Sequence, residues 1–150
     1  MLDLVEGFAF ALARLIDSYS VPLLAVLFVI ALFSFKKRAL LIAALILALL
    51  LTPAVKDWYQ ADRPCVSIDS VMACPLTFGF PSSHAAVVGV FAIASLATWS
   101  SFFFMPLSLF VMWSRVALGV HSVHQVVAGF AFGLAIYVIA YVFSKKIQED

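Results

Sequence analysis

The sequence predicts an all-α fold, a polytopic bundle of membrane helices. Five helices are expected to span, with an N-terminal amphipathic helix that lies in the interface or spans as a sixth. Three observations carry this prediction. The chain is 65% hydrophobic and only 11% charged, where a soluble domain is about half apolar and about a quarter charged. Its mean hydropathy is +1.14. Its apolar residues fall into separate runs, each near the ~20 residues that cross a bilayer core. One domain, residues 1–150, suits this length. A net charge of +1 gives no electrostatic footprint for nucleic acid.

Residues 1–17 are apolar except for Asp3, Glu6, Arg14 and Asp17. On a helix those four fall within an arc of roughly 80°. Such a helix lies in the membrane interface or spans with its stripe turned inward; the interfacial reading is slightly favoured. Asp3 and Glu6 stand where a signal peptide would be basic, so a cleaved leader is not indicated. Residues 18–35 form the first expected span. Lys36-Lys37-Arg38 makes a tight basic hairpin, and residues 39–55 form the second span. The hairpin is expected on the cytoplasmic side, as basic loops generally are.

The second span then emerges outside at Lys56. Residues 56–80 form one long polar loop that holds both cysteines, Cys65 and Cys74. An extracytoplasmic loop favours a disulfide; the alternative is two free thiols. Residues 81–99 form the third span, running inward, with Ala85, Gly89 and Ala92 as a small-residue stripe. Residues 102–118 run outward as the fourth, ended by Gly119. Residues 126–143 run inward as the fifth, capped by Lys145-Lys146. Trp58, Trp99 and Trp113 fall near the expected interfaces. Lys56, Pro81, Leu118 and His121 therefore all reach the outer face.

Three groups of polar residues gather there. Lys56 and Arg63 stand seven residues apart, two helical turns, and would share a face if the helix reached that far; Pro64 stops it. Two such cations suit a phosphate, but cations at lipid headgroup level are also ordinary. Pro81-Ser82-Ser83-His84 opens an apolar helix, with Pro81 at the first helical position. The backbone N–H groups that follow lie at the positive end of a helix dipole, where anions bind. Alone, this is a capped helix start with a solvated histidine. Ser114-Arg115 and His121 make the third group. Arg115 sits inside an apolar span, where a charge is costly and marks a functional site. His121, Gln125, Gly129 and Gly133 recur every four residues and form one stripe; Gly129-x3-Gly133 is a helix-packing pair.

Taken together, Lys56-x6-Arg63-Pro64, Pro81-Ser82-Ser83-His84 and Ser114-Arg115-x5-His121 resemble the three-part signature of the type 2 phosphatidic acid phosphatase family. That family includes membrane lipid phosphatases, bacterial acid phosphatases and vanadium haloperoxidases. The resemblance implies that Lys56, Arg63 and Arg115, with the backbone around Ser82 and Ser83, hold the phosphoryl oxygens. His121 would attack phosphorus and His84 would protonate the leaving oxygen. Position and charge neutralisation are most of what phosphoryl transfer needs, and three cations supply the charge without a metal or other cofactor.

This sequence departs from the family pattern twice. Ser83 stands where the second motif usually has glycine. Gln125 stands where the family places an aspartate, four residues after the nucleophilic histidine. A glutamine carbonyl can accept the histidine N–H but brings no charge. Gln125 thus reads as a slow enzyme, an inactive relative, or a site whose acceptor comes from elsewhere. His124 is adjacent but reads as a headgroup-level side chain.

The expectation is a metal-independent lipid phosphatase, multi-pass in the cell membrane. Its partners are the bilayer and a phosphorylated membrane lipid, and its site is extracytoplasmic. Both the 36–38 hairpin and the C-terminus would be cytoplasmic. A polyprenyl diphosphate is favoured as substrate, with phosphatidylglycerophosphate and phosphatidic acid open. The alternative is a non-catalytic binder or transporter of phosphorylated lipid. No oligomeric state is read from the sequence.

Overall fold

The structure, a computed structural model, describes residues 7–8, 10–15, 26, 29–30, 33, 35, 37–66, 73–96 and 98–149. Among the described residues there is no β-strand. Four helices carry the fold: α1 (Arg38–Tyr59), α2 (Ser83–Ser95), α3 (Ser101–Ala117) and α4 (Val123–Glu149). A short 3₁₀ turn, Pro64–Val66, lies between α1 and α2. Most of the expected span 18–35, and Asp3, Glu6 and Asp17 of the N-terminal stripe, lie outside the described residues.

Contacts at the two ends set the helix directions. At one end Lys37, which precedes α1, places its ammonium 4.2 Å from the Tyr141 ring near the close of α4. Phe35 packs there against Phe104 in the first turn of α3. At the other end Gly79, shortly before α2, donates to Ala61, just past α1. Ser82, before α2, donates to the Gln125 carbonyl at the start of α4. Hence α1 and α3 run one way, and α2 and α4 the other.

Helix α2 is the centre of the bundle and packs against all three others, most extensively α4. Its residues 85–92 are all buried. Gly89, Gly129 and Gly133 form the α2–α4 seam. A Cβ on Gly129 would meet the Ser82 carbonyl oxygen, one on Gly133 the Ala86 carbonyl oxygen, and one on Gly89 the Phe130 carbonyl oxygen. These backbones touch because no side chain intervenes. Leu41, Ala44, Val90, Phe91, Phe104 and Ile136 fill the core toward the Lys37 end. At the far end Ala13, Leu118 and Val120 make a second cluster with Cys65 beside it, so the N-terminal helical stretch docks against the polar end.

Two helices are long and apolar enough to cross a membrane: α1, 22 residues at mean hydropathy 2.4, and Val123–Ile147 of α4, 25 residues at 2.3. With 13 residues, α2 is about 20 Å long, shorter than a ~30 Å hydrocarbon core. Leu49 and Leu50 of α1 and Val142 and Phe143 of α4 are exposed, an apolar surface suited to lipid. Trp58 and Trp99 are also exposed.

Three local expectations are corrected. Pro81 is not the first helical residue: Ser82 is still extended (φ −71°, ψ 118°) and helical geometry begins at Ser83. The Ser82 N–H is also not open to an anion, because the Gln125 carbonyl takes it at 3.0 Å. Lys56 and Arg63 do not share a helical face. α1 continues past residue 55 to Tyr59 and is closed by Gln60 in the left-handed conformation (φ 51°), so Arg63 leaves the helix direction altogether.

Candidate active site

Each polar group is delivered by the end of an element. The last turn of α1 carries Lys56, which is buried. Beyond the left-handed Gln60 the chain reverses, and Arg63 follows just before the 3₁₀ turn. Cys65 and Cys74 are joined by a disulfide, with Cα atoms 5.5 Å apart, which closes this loop beside Arg63. The Arg63 guanidinium is held on two sides. Its Nε donates to the Thr77 carbonyl at 2.6 Å and its Nη2 to Thr77 Oγ1 at 2.9 Å. Its Nη1 donates to the Val120 carbonyl at 3.2 Å and lies 3.0 Å from His121 Nε2.

His121 is placed by the reversal after α3. Arg115, 2% exposed, stands in the last turn of that helix, where a cation also faces the negative end of the dipole. Its Nε donates to Ser114 Oγ at 3.3 Å. Gly119 then adopts a left-handed φ of 72°, which favours glycine, and closes α3 as expected. The chain folds back so that the His121 N–H donates to the Arg115 carbonyl at 3.2 Å. The His121 ring is 4% exposed. Its Nδ1 lies 3.1 Å from Gln125 Oε1. The same Oε1 accepts from the Ser122 N–H at 3.2 Å, and Gln125 Nε2 donates to the Asp62 carbonyl at 2.8 Å.

These contacts assign the His121 proton. Gln125 Oε1 accepts only, so Nδ1 carries the hydrogen. The Arg63 Nη1 donates only, so Nε2 presents its lone pair. Burial pushes the His121 pKa down to about 3; Arg63, Lys56 and His84 push the same way, while the Gln125 hydrogen bond opposes them. Burial, then the charge of Arg115, also lowers the Arg63 pKa from its ordinary value. The ring is therefore neutral at physiological pH, and its free nitrogen faces a cation.

The structure thus gathers Lys56, Arg63, Arg115, His121 and Gln125 at one end of the bundle, all buried. His84, second residue of α2, is partly exposed at the same end. Ser82 is fully buried, and its Oγ makes no hydrogen bond. The first α2 hydrogen bond runs from the Ala86 N–H to the Ser82 carbonyl, so the N–H groups of Ser83, His84 and Ala85 have no acceptor within the helix. His124 is exposed and bonded to Ser122 Oγ at 3.0 Å, apart from this cluster. Among the described residues no three His, Cys, Asp or Glu side chains come together. A separate cavity of about 480 Å³, lined by Phe35, Leu41, Ile93, Tyr137 and Tyr141 among others, opens at the opposite end.

Sequence reasoning missed Thr77, Gly79 and Asp62. Thr77 anchors Arg63, and the Asp62 carbonyl anchors Gln125. A Cβ on Gly79 would fall 2.6 Å from Gln125 Nε2. The one available signal was the presence of Thr77 and Gly79 in the single polar loop of an apolar chain.

Comparison with known proteins adds three findings. The PAP2 superfamily model matches residues 37–149. The putative undecaprenyl-diphosphatase YbjG of Escherichia coli (strain K12) is 40% identical over 58 residues, which are 37% of this chain and 29% of that protein. The alignment thus spans less than a third of that relative's length. The crystal structure of a transmembrane PAP2 type phosphatidylglycerolphosphate phosphatase from Bacillus subtilis matches with a TM-score of 0.64 and 25% identity, over 97% of this chain and 78% of that one. With its own apolar helices, this neighbour makes the chain a membrane protein.

Proposed function

The chain belongs to the PAP2 superfamily, and from that premise we propose that it is a lipid phosphatase working through a phosphohistidine on His121. The observation that carries the reading is the His121 ring itself. Nδ1 is held by Gln125 at 3.1 Å and Nε2 lies 3.0 Å from Arg63 Nη1. A phosphoryl oxygen arriving at Arg63 would take over that N–H and release the Nε2 lone pair toward phosphorus. Arg63, Arg115 and Lys56 would neutralise the equatorial oxygens, the main electrostatic demand of the reaction. The Ser83 N–H would add a donor at the positive end of α2.

In the first step the Nε2–P bond forms and the bond from phosphorus to the leaving oxygen breaks. That oxygen takes its proton from His84. In the second step water attacks phosphorus, His84 takes the water proton, and the N–P bond breaks to release phosphate. His84 is partly exposed, which suits a group that exchanges protons with leaving group and water.

The substrate proposed first is a polyprenyl diphosphate, supported by the likeness to the E. coli protein named putative undecaprenyl-diphosphatase YbjG. The B. subtilis neighbour makes phosphatidylglycerophosphate the second choice. A non-catalytic binder rests on Gln125 alone. Because Gln125 Oε1 accepts from the nucleophile as a carboxylate would, turnover is the reading taken. The topology proposed has five spans, with the 36–38 hairpin and the C-terminus cytoplasmic and the site outside. Lys37 and Lys145 both lie over Tyr141 at one end, as basic inner faces do. The disulfide lies at the other end, and disulfides persist in oxidising compartments.

The test is phosphate release by purified protein in detergent from undecaprenyl diphosphate, phosphatidylglycerophosphate and phosphatidic acid, with chelator present. Wild type is expected to turn over and to trap radiolabelled phosphate on His121. His121→Ala should fall by roughly 10⁴-fold or more. Turnover that survives both His121→Ala and His84→Ala would sink the mechanism.

A further inference from the structure

We propose that Gly79 and the backbone carbonyl of Asp62 form a socket for the Gln125 amide, and that this socket lets a neutral side chain hold His121 in one tautomer. The consequence for turnover rests on the phosphatase reading above; the socket itself does not.

An amide has two ends of similar shape, and only its partners tell them apart. The Asp62 carbonyl can only accept, so the end 2.8 Å from it is the NH₂. The Ser122 N–H can only donate, so the end 3.2 Å from it is the oxygen. Both backbone groups demand the same orientation. Turning the amide over would face donor to donor at Ser122 and acceptor to acceptor at Asp62, both beside a buried ring. The oxygen so fixed receives the His121 Nδ1 hydrogen. Two backbone groups therefore hold the nucleophile's tautomer, relayed through Gln125.

An aspartate could not make this arrangement. It has no hydrogen to give the Asp62 carbonyl. Gln125 does, and Asp62 adjoins Arg63, whose Nη1 meets the other ring nitrogen. One amide thus ties both sides of the ring: Nδ1 directly, and Nε2 through the strand of loop that carries Arg63.

The longer glutamine arm needs room, and Gly79 leaves it. A Cβ there would lie 2.6 Å from Gln125 Nε2, 2.9 Å from Oε1 and 3.0 Å from the Asp62 oxygen. Residue 79 is held over the amide by its N–H, which donates to the Ala61 carbonyl at 2.7 Å. Gly79 does not have a left-handed φ, so no special backbone angle reserves the position for glycine. What glycine provides here is space for Gln125. Gly79 and Asp62 are positioning residues: they act on His121 through Gln125.

The test is a double-mutant cycle of Gly79→Ala and Gln125→Asp on the full chain in detergent at pH 7.5. It is read by ¹⁵N NMR of histidine-labelled protein and by kcat. Wild-type His121 should show the Nδ1–H tautomer alone. Gly79→Ala should displace the amide, mix the tautomers and lower kcat by on the order of 10²-fold, the scale of a ~1 Å misplacement. In the Gln125→Asp background the shorter side chain vacates the space. Only the approach to the Asp62 oxygen is left, and the same Gly79→Ala change should cost less than about threefold.

An unchanged tautomer in Gly79→Ala, or an equal cost in both backgrounds, overturns the socket. If Gly79→Ala alone does not fold, the double variant decides: a folded protein supports the socket, and an unfolded one overturns it. The tautomer readout needs no turnover. A chain inactive on every lipid but with these shifts would sink the phosphatase reading alone.

Discussion

The seam between α2 and α4 and the polar end above it both depend on missing side chains, to opposite ends. In the seam Gly89, Gly129 and Gly133 let two helices touch backbone to backbone. At the polar end Gly79 makes room for a side chain that crosses from α4 to the Asp62 loop. The seam is apolar and gains from dispersion and burial; the polar end gathers buried cations around His121, with Arg63 and Gln125 held by hydrogen bonds. The two regions meet where the Ser82 N–H donates to the Gln125 carbonyl. That bond fixes the start of α2, with His84, against the start of α4, near His121. The seam therefore sets the spacing between the two histidines, and the loops set what surrounds them. Breaking the seam should destroy both regions, whereas breaking the loops should destroy only chemistry.

The largest effect is expected from Gly133→Leu. Any side chain here meets the Ala86 backbone, which cannot rotate away. Overpacking costs about 1–3 kcal/mol and occasionally more, and contact with an immovable backbone puts this site at the upper end. Thermal unfolding in detergent should show a collapsed transition, or no folded protein, with activity lost in parallel. A variant that keeps its melting temperature but loses turnover would contradict the division drawn above.

Arg63→Lys should do the reverse. Lysine cannot reproduce a fork that reaches the Thr77 carbonyl, Thr77 Oγ1, Val120 and His121 together. Phosphate release should fall by roughly 10²-fold, the scale of a misplaced catalytic group, with only a modest drop in melting temperature from the loop acceptors left unpaired. An equal loss of stability would mean that the loop carries the fold.

This division also marks what could be read in the sequence. Arg115, Lys56 and the two histidines stood out because polar chemistry is sparse in so apolar a chain. Gly129 and Gly133 were legible because four residues bring them onto one helical stripe, and the stripe does pack against α2. The socket was not legible. It joins residues 63 positions apart, and its parts are a carbonyl, which every residue has, and a glycine valued for absence. The end of α1 is hard to read because Lys56 suggests the water's edge, whereas it is buried in the last turn of the helix. The start of α2 shifted because Ser82 gives its N–H to Gln125, a tertiary bond that no local pattern announces.

A smaller effect separates the two regions by pH. The ordinary histidine value is 6.5, and the His121 pKa is pushed down to about 3 by burial first. The folded protein thus binds fewer protons at this residue than the unfolded chain does. The stability tied to it is complete above pH 6.5 and is lost as pH falls toward 3, by up to ~1.4 kcal/mol per pH unit. Thermal unfolding of wild type and His121→Asn across pH 4–8 should converge as pH falls. Parallel curves would mean that the ring is not buried as described. Seam variants that still fold should keep the wild-type slope.

The smallest effect falls at the junction of the two regions, on Ser82. Its side chain is fully buried and its hydroxyl makes no hydrogen bond, while its N–H and carbonyl are both used. Removing an unsatisfied buried hydroxyl gives up no partner and relieves a desolvation cost. Ser82→Ala should therefore leave the melting temperature unchanged or raise it slightly, within about 1 kcal/mol, with the α2–α4 seam intact. If the hydroxyl serves only local structure, kcat and KM should also be unchanged. If it is kept for a phosphoryl oxygen, as proposed for the neighbouring Ser83 N–H, the loss should appear with substrate alone. In that case kcat/KM falls by roughly tenfold, the scale of one hydrogen bond to a charged group, while stability does not. A destabilised Ser82→Ala would refute both versions. It would place Ser82 with the seam rather than with the chemistry above it.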